Sequence, residues 1–406
     1  MSLPLKPTNI LADNPRQYNW AVTKFLKNQL LFLLLNIFLY IYFVASPVQA
    51  IVDPLSVPNN KIGIHLLFHS EIEKAAKMVN NDGHGSWGYV TIPIQATERN
   101  RDKWQKFFDD CLKLKVIPLV RVATVPNGSN WEKPNNYDLI DFANFLNELK
   151  WPTQNRYVII FNEVNRSDEF GGFVSPENYA DILANASDIF KSKSQDFFIL
   201  PAGLDNAAVN SKTSMAPRRY TERMYLHRTD IFDKIDGWTS HAYPNPGFSA
   251  KANEKGINKI DSYRHDLSLI HQFTTKKLPV FITEAGWSNQ YLSDYQVSLY
   301  YQYALKNVWS DPYIVAITPF LFSAQDGPFT VFSFIDKEGQ FKEFAQTFSQ
   351  EATKGEPILT NQEKQIKIIL SSDSTISANL PAEYREEESI LNLRSLLKKI
   401  ANYFGF

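Results

Sequence analysis

From residue 61 onward the chain alternates between two hydrophobic rhythms. Short runs rich in β-branched and aromatic residues are followed by longer stretches whose apolar positions recur three and four apart, the pattern of strands alternating with amphipathic helices. Eight runs read as strands: KIGIHLLF from Lys61, WGYVTIPI from Trp87, VIPLVRVAT from Val116, YVIIFNEVN from Tyr157, FFILPAGL from Phe197, GWTSHAYP from Gly237, PVFITEAGW from Pro279 and IVAITPFLF from Ile314. Between them EIEKAAKMV from Glu71, YDLIDFANFLNELK from Tyr137, ENYADILANASDIF from Glu177 and YQVSLYYQYALKNVW from Tyr295 carry helical spacing. Eight successive βα units predict an α/β fold, a closed (β/α)8 TIM barrel over residues 51–350. The rival, an open doubly wound sheet, lacks its phosphate loop, since KIGIHLLFHSE holds nothing resembling GxGxxG.

Both ends depart from this rhythm. Lys24 and Lys27 precede an apolar run from Leu30 to Val44 with no charge until Asp53, so residues 1–50 read as a signal peptide, with a cleavage site after Ala50, or as an uncleaved membrane anchor. Basic residues at the start keep that end inside and send the rest outward, to an extracytoplasmic place, secreted or anchored. Residues 351–406 turn polar and read as a C-terminal appendage, closing on EEESILNLRSLLKKIANYFGF, whose acids first and bases last suit an amphipathic helix.

Composition narrows the function. In 406 residues, 42 basic side chains meet 43 acidic ones for a net charge of -1, which leaves no footprint for nucleic acid and suits an uncharged polar substrate. The single cysteine, Cys111, lies on an amphipathic helical pattern and reads as a buried thiol. The seven histidines are scattered, no HExxH or GxSxG motif occurs, and neither a metal nor another cofactor is expected. Asn127, Asn165 and Asn185 each begin an N-x-[ST] sequon.

In a barrel of this kind the chemistry gathers where the strands end. Strand alternation puts Ile159, Phe161 and Glu163 on one face of the fourth run, beside Asn162, and puts Val280, Ile282 and Glu284 together on the seventh. Two carboxyls at the ends of otherwise buried strands need a reason, and glycoside hydrolysis, which flanks one bond with two carboxyl groups, supplies one. In SHAYPNP, His241 and Tyr243 share a face at the end of the sixth run.

These residues resemble the clan A glycoside hydrolases, and most of all the cellulase-like family five and its relatives. There a Glu preceded by Asn ends strand four as the acid/base, and a Glu ends strand seven as the nucleophile. The resemblance implies a retaining enzyme acting on an oligo- or polysaccharide, with Glu163 as acid/base and Glu284 as nucleophile. It implies further that Asn162 binds the sugar hydroxyl next to the anomeric carbon, that Tyr243 bonds the nucleophile and that His241 lines the sugar site. Thr91 stands where the family has an arginine, so Arg121, at the end of the third run, either supplies that cation or forms a surface ion pair. The family's strand-eight Trp is missing, which leaves Phe320, Phe322 or Trp287 as the sugar platform. A non-catalytic carbohydrate-binding protein on the same barrel and a transglycosylase are the alternatives. A retaining pair should lie about 5 to 5.5 Å apart, with Glu163 raised in pKa and Glu284 ionised.

Overall fold

The computed structural model describes residues 51–360 and, before them, only Lys27, Gln29 and Phe32, all helical. The expected signal or anchor segment and the terminal amphipathic helix lie outside the described residues. No helix among the described residues is long and apolar enough to cross a membrane.

Eight parallel strands form the centre: β1 (Gly63–His65), β2 (Gly88–Gln95), β3 (Val116–Ala123), β4 (Arg156–Ile160), β5 (Phe197–Pro201), β6 (Trp238–His241), β7 (Val280–Glu284) and β8 (Ile314–Ile317). They pair in chain order in two arcs, β1 to β5 and β6 to β8. A parallel bridge from Ile62 to Ile317 closes one seam. Across the other, the Asp236 amide donates to the Ile199 carbonyl (2.8 Å) and the Thr239 hydroxyl to the Pro201 carbonyl (2.7 Å). The result is the expected barrel.

Helices α1 (Ile72–Val79), α2 (Arg101–Leu114), α3 (Asn136–Glu148), α4 (Pro176–Lys193), α5 (Pro217–His227), α6 (Ser262–Ile270), α7 (Asp294–Asn307) and α8 (Glu343–Gln350) follow the strands. Sequence-coded caps start several of them. The Asn100 side chain accepts from the Lys103 amide at the head of α2, and Ser293 and Gln296 cap α7 reciprocally. Cys111 is buried in α2 as expected.

Side chains fill the barrel rather than leaving a pore. Tyr89, Ile117, Leu119, Tyr157, Ile159, Phe198, Leu200 and Phe281 pack inside the strands, while a larger apolar layer joins the strands to the helices. The chain does not leave the barrel at residue 350. Beyond α8 it runs back along the strand starts, where the Gln154 amide donates to the Ile358 carbonyl (2.8 Å) and Thr153 bridges Leu359. The N-terminal stretch meets the same end, as Val52 and the Asn155 side chain exchange hydrogen bonds of 2.9 and 2.7 Å. The opposite end, where the strands finish, stays open.

Candidate active site

A cavity of about 680 Å³ opens at the C-terminal ends of the strands, and Arg121, Asn162, Glu163, Tyr243, Glu284 and Phe320 are among its lining residues. Strand β3 supplies the first of these by simple alternation. Ile117 and Leu119 point into the barrel, and Arg121, two residues on, points the same way one layer higher. Its side chain is 14% exposed, so the surface ion pair is ruled out.

The two glutamates arrive differently from the way alternation predicts. Strand β4 ends at Ile160, and Phe161 (φ 69°) and Glu163 (φ 33°) adopt left-handed backbone, so Ile159 lies inside the barrel while Phe161 packs in the outer layer. On β7 it is Phe281 that points inward, and Val280 and Ile282 point out. Glu284 should therefore face the helices. It does not, because Ser240 pairs with Ile282 while His241 pairs with Glu284, so Thr283 is an extra residue on β7. This bulge turns Glu284 into the barrel mouth.

Around Glu284 the contacts converge. Arg121 Nη1 donates to Glu284 Oε1 at 2.8 Å and to Asn162 Oδ1 at 2.7 Å, and the Tyr243 hydroxyl donates to Glu284 Oε2 at 3.0 Å. Glu163 Oε1 bonds His241 Nδ1 at 2.9 Å, and Glu163 Oε2 meets Arg166 Nη1 at 3.3 Å. His241 Nδ1 also lies 3.7 Å from Glu284 Oε2. Glu163, His241 and Glu284 each bring one oxygen or nitrogen within 4.8 Å of the others. Arg121 already compensates the charge there, so the cluster does not call for a cation. Gly203 makes the arrangement possible: a Cβ at this position would occupy the His241 ring, and its carbonyl accepts from the Glu163 amide at 3.0 Å.

These surroundings push the two carboxyls apart. Burial raises the pKa of Glu163, more than its bond to His241 lowers it. Burial would raise Glu284 too, but the neighbouring His241 and Arg121, with the Tyr243 hydroxyl, outweigh it and hold Glu284 below the usual carboxylate range. His241 is raised because its two carboxylate neighbours overcome burial. Tyr243, buried beside Glu284, rises well above the ordinary phenol value and is therefore the donor in their bond.

Thr91, in the place of the family's arginine, is fully buried and shares a 2.8 Å hydroxyl contact with Thr318. Of the three aromatic candidates for the sugar platform, only Phe320 lines the cavity. Phe322 packs outward near Phe341. Trp287 is a correction: it is 1% exposed, donates from Nε1 to the Ala250 carbonyl at 2.8 Å and packs on Tyr301 and Trp309. The chain turns at Gly286 (φ 152°) and sends the indole into the helical layer, away from the cleft. Among the sequons, Asn165 is fully buried, donating to the Asp205 and Met215 carbonyls, whereas Asn127 is exposed.

Four residues of the site were not anticipated. His65, on β1, is fully buried 3.8 Å from Glu284 Oε1, and burial together with Arg121 lowers its pKa to about 3, so it is neutral. Arg166, Glu169 and Asp205 line the cavity beside Glu163. Arg166 and Glu169 sit in NEVNRSDEF, where the density of charge just past a strand end was the available signal. His65 offered none, for a lone histidine in an apolar run reads as core.

No family model and no curated protein matches the chain. Solved structures do match it. A family 39 glycoside hydrolase from Bacteroides cellulosilyticus superposes with a TM-score of 0.51 at 16% identity, covering 75% of this chain and 65% of that one. Thermotoga maritima Cel5A in complex with cellobiose gives 0.51 at 12% identity over 73% and 99% of the two chains. An endo-beta-1,3-glucanase of family GH128 from Sorangium cellulosum gives 0.50 at 14% over 72% and 99%. The chain has the fold of the clan A glycoside hydrolases. At these identities the likeness is one of architecture, and the chain spans slightly less than two thirds of the family 39 enzyme. Glu284 ends β7, and Glu163 stands three residues past the end of β4.

Proposed function

We propose that the protein is a retaining glycoside hydrolase acting on an oligo- or polysaccharide outside the cytoplasm. The observation that carries this reading is the pair Glu163 and Glu284, facing each other across the cleft with oxygens within 4.8 Å and with unlike surroundings. So close an approach favours a retaining pair, whose carboxyls lie about 5 to 5.5 Å apart, over an inverting pair at roughly 6.5 to 9.5 Å.

In the first step Glu284, kept ionised by Arg121 and Tyr243, attacks the anomeric carbon. Glu163 gives its proton to the departing oxygen, and the glycosidic bond breaks. In the second step the Glu163 carboxylate takes a proton from water, whose oxygen displaces Glu284 from the sugar. Asn162, its carbonyl fixed by Arg121, offers its amide to the sugar hydroxyl beside the anomeric carbon, a contact that strengthens in the transition state. Phe320 gives an apolar wall for the sugar ring. A carbohydrate partner is supported by the cellobiose bound to the Thermotoga maritima neighbour. The extracytoplasmic setting rests on the pattern of residues 1–50. A purely sugar-binding role was suggested by the missing strand-two arginine and strand-eight tryptophan; against it, Arg121 puts a cation on Glu284 and Phe320 lines the cavity.

A panel of aryl glycosides and polysaccharides tests the reading. Glu163→Ala should slow substrates with poor leaving groups by about 10²- to 10⁴-fold while sparing activated aryl glycosides, because only the former need the proton. Glu284→Ala should abolish both. Equal losses on both substrate types in Glu163→Ala would count against the assignment.

A further inference from the structure

The carboxyl read above as the acid is gripped on both oxygens. His241 holds Oε1, and Arg166, three residues along the same loop, holds Oε2 at 3.3 Å. Arg166 is itself fixed from behind. Its Nε and Nη2 fork onto Asp168 at 3.2 and 2.7 Å, and Nη1 lies 3.7 Å from Asp205. The loop that carries it is clamped to the segment after β5. The Arg166 amide donates to the Glu163 carbonyl (2.8 Å), the Ser167 amide to the Thr213 carbonyl (2.8 Å), and Asn165 exchanges two 3.0 Å bonds with the Asp205 backbone. A guanidinium held this firmly is a fixed positive charge on Glu163.

The same loop carries a second carboxyl. Glu169 points into the cavity that Glu163 and Asn162 line, and the loop is pinned there because Trp131 and the segment 168–171 exchange backbone bonds of 2.7 and 3.0 Å. Burial, then the nearby Glu163, push the Glu169 carboxyl up to about 7. A carboxyl raised that far is protonated at acid pH and then puts no negative charge beside Glu163.

We propose that Arg166 is a positioning residue for the acid carboxyl, its fixed charge setting the pH at which Glu163 holds its proton. Arg166 favours the carboxylate needed when water is activated. This rests on the reading of Glu163 as acid/base. The other groups facing Glu163 are His241 and Tyr243 from the β6 end, Glu284 from β7, Arg121 from β3, Glu169 from its own loop, Asp205 from the segment after β5 and neutral His65 from β1. They are common to every variant below and so cancel in the comparison.

The test is the titration of the Glu163 side chain in the full chain labelled with ¹³C-glutamate, followed by NMR and assigned by the signal that Glu163→Gln removes. Arg166→Gln should move the midpoint up by about 1 pH unit or more, the size expected of a charge within a few ångströms. Arg166→Lys should keep most of the wild-type midpoint, which also keeps the proposal open to refutation if Arg166→Gln does not fold. A midpoint that moves down in Arg166→Gln, or stays within about 0.2 unit of wild type where a full unit is expected of such a charge, would overturn it. No substrate enters this measurement. A protein inert towards every glycoside would refute the hydrolase reading while the midpoints still stood, and an active enzyme with unmoved midpoints would do the reverse.

Discussion

Glu163 and Glu284 are the same residue type in one cleft, and their neighbours alone divide them. Glu284 has a guanidinium on one oxygen and a phenol hydroxyl on the other, while Glu163 has an imidazole and a second, more exposed guanidinium. Arg121 and His241 are the neighbours that most hold Glu284 ionised, and Arg121 delivers its charge from β3. In Arg121→Gln the Glu284 pKa should rise towards its burial-dominated value. The acid limb of the pH profile of kcat/KM should then move to higher pH by about 1 unit or more, because the nucleophile must stay ionised. An acid limb that does not move would remove Arg121 from this role. At this scale much was legible. The Asn162–Glu163 pair, His241 with Tyr243, and Glu284 were all nameable from polar residues ending apolar strands. Trp287 was misjudged because one glycine, Gly286, turns the chain between nucleophile and indole, and sequence alone does not fix the direction of that turn.

Strands show where periodicity stops being informative. On β3 strict alternation works, because the strand runs unbroken from Val116 to Ala123 and Arg121 follows Leu119 on the inner face. On β7 both faces are buried, so Val280, Phe281 and Ile282 are all apolar and the pattern does not mark which of them looks inward. Only the pairing with β6 reveals the extra residue at Thr283. The back of β6 carries a consequence for stability. Asp266 on α6 accepts from Trp238 Nε1 at 3.3 Å and from the Ser240 hydroxyl at 3.2 Å, and its burial raises its pKa to about 6 from an ordinary value of 3.8. A carboxyl raised in the folded state favours folding while protonated. That contribution is full below about pH 3.8 and is lost as pH rises to about 6. Asp266→Asn should therefore raise Tm at pH 7 to 8, by the equivalent of about 1 to 3 kcal/mol, and give little at pH 4. Thermal unfolding across that pH range checks it, and a loss of Tm at pH 7 would contradict it.

Taken whole, the barrel was the most legible feature, since eight alternations of period leave few other closures. Less legible was where it ends. Residues 351–360 are polar enough to read as an appendage, yet they run along the strand starts and are tied to the barrel's closed end by backbone hydrogen bonds. The export reading belongs to this scale as well. Cell fractionation should recover residues beyond Ala50 outside the cytoplasm, released or membrane-bound, and a soluble cytoplasmic protein with an intact N-terminus would contradict that expectation.

The central claim concerns one cleft and two displacements at one carbon. A carboxylate attack followed by a water attack inverts the anomeric carbon twice and so restores its configuration. Proton NMR of the first sugar released from an aryl β-glycoside that the enzyme cleaves reads this directly, before mutarotation blurs it. The geometry of Glu163 and Glu284 predicts that the β-anomer appears first and the α-anomer grows in only later. The α-anomer appearing first would mean that water attacks directly, and would contradict the assignment of Glu284 as nucleophile.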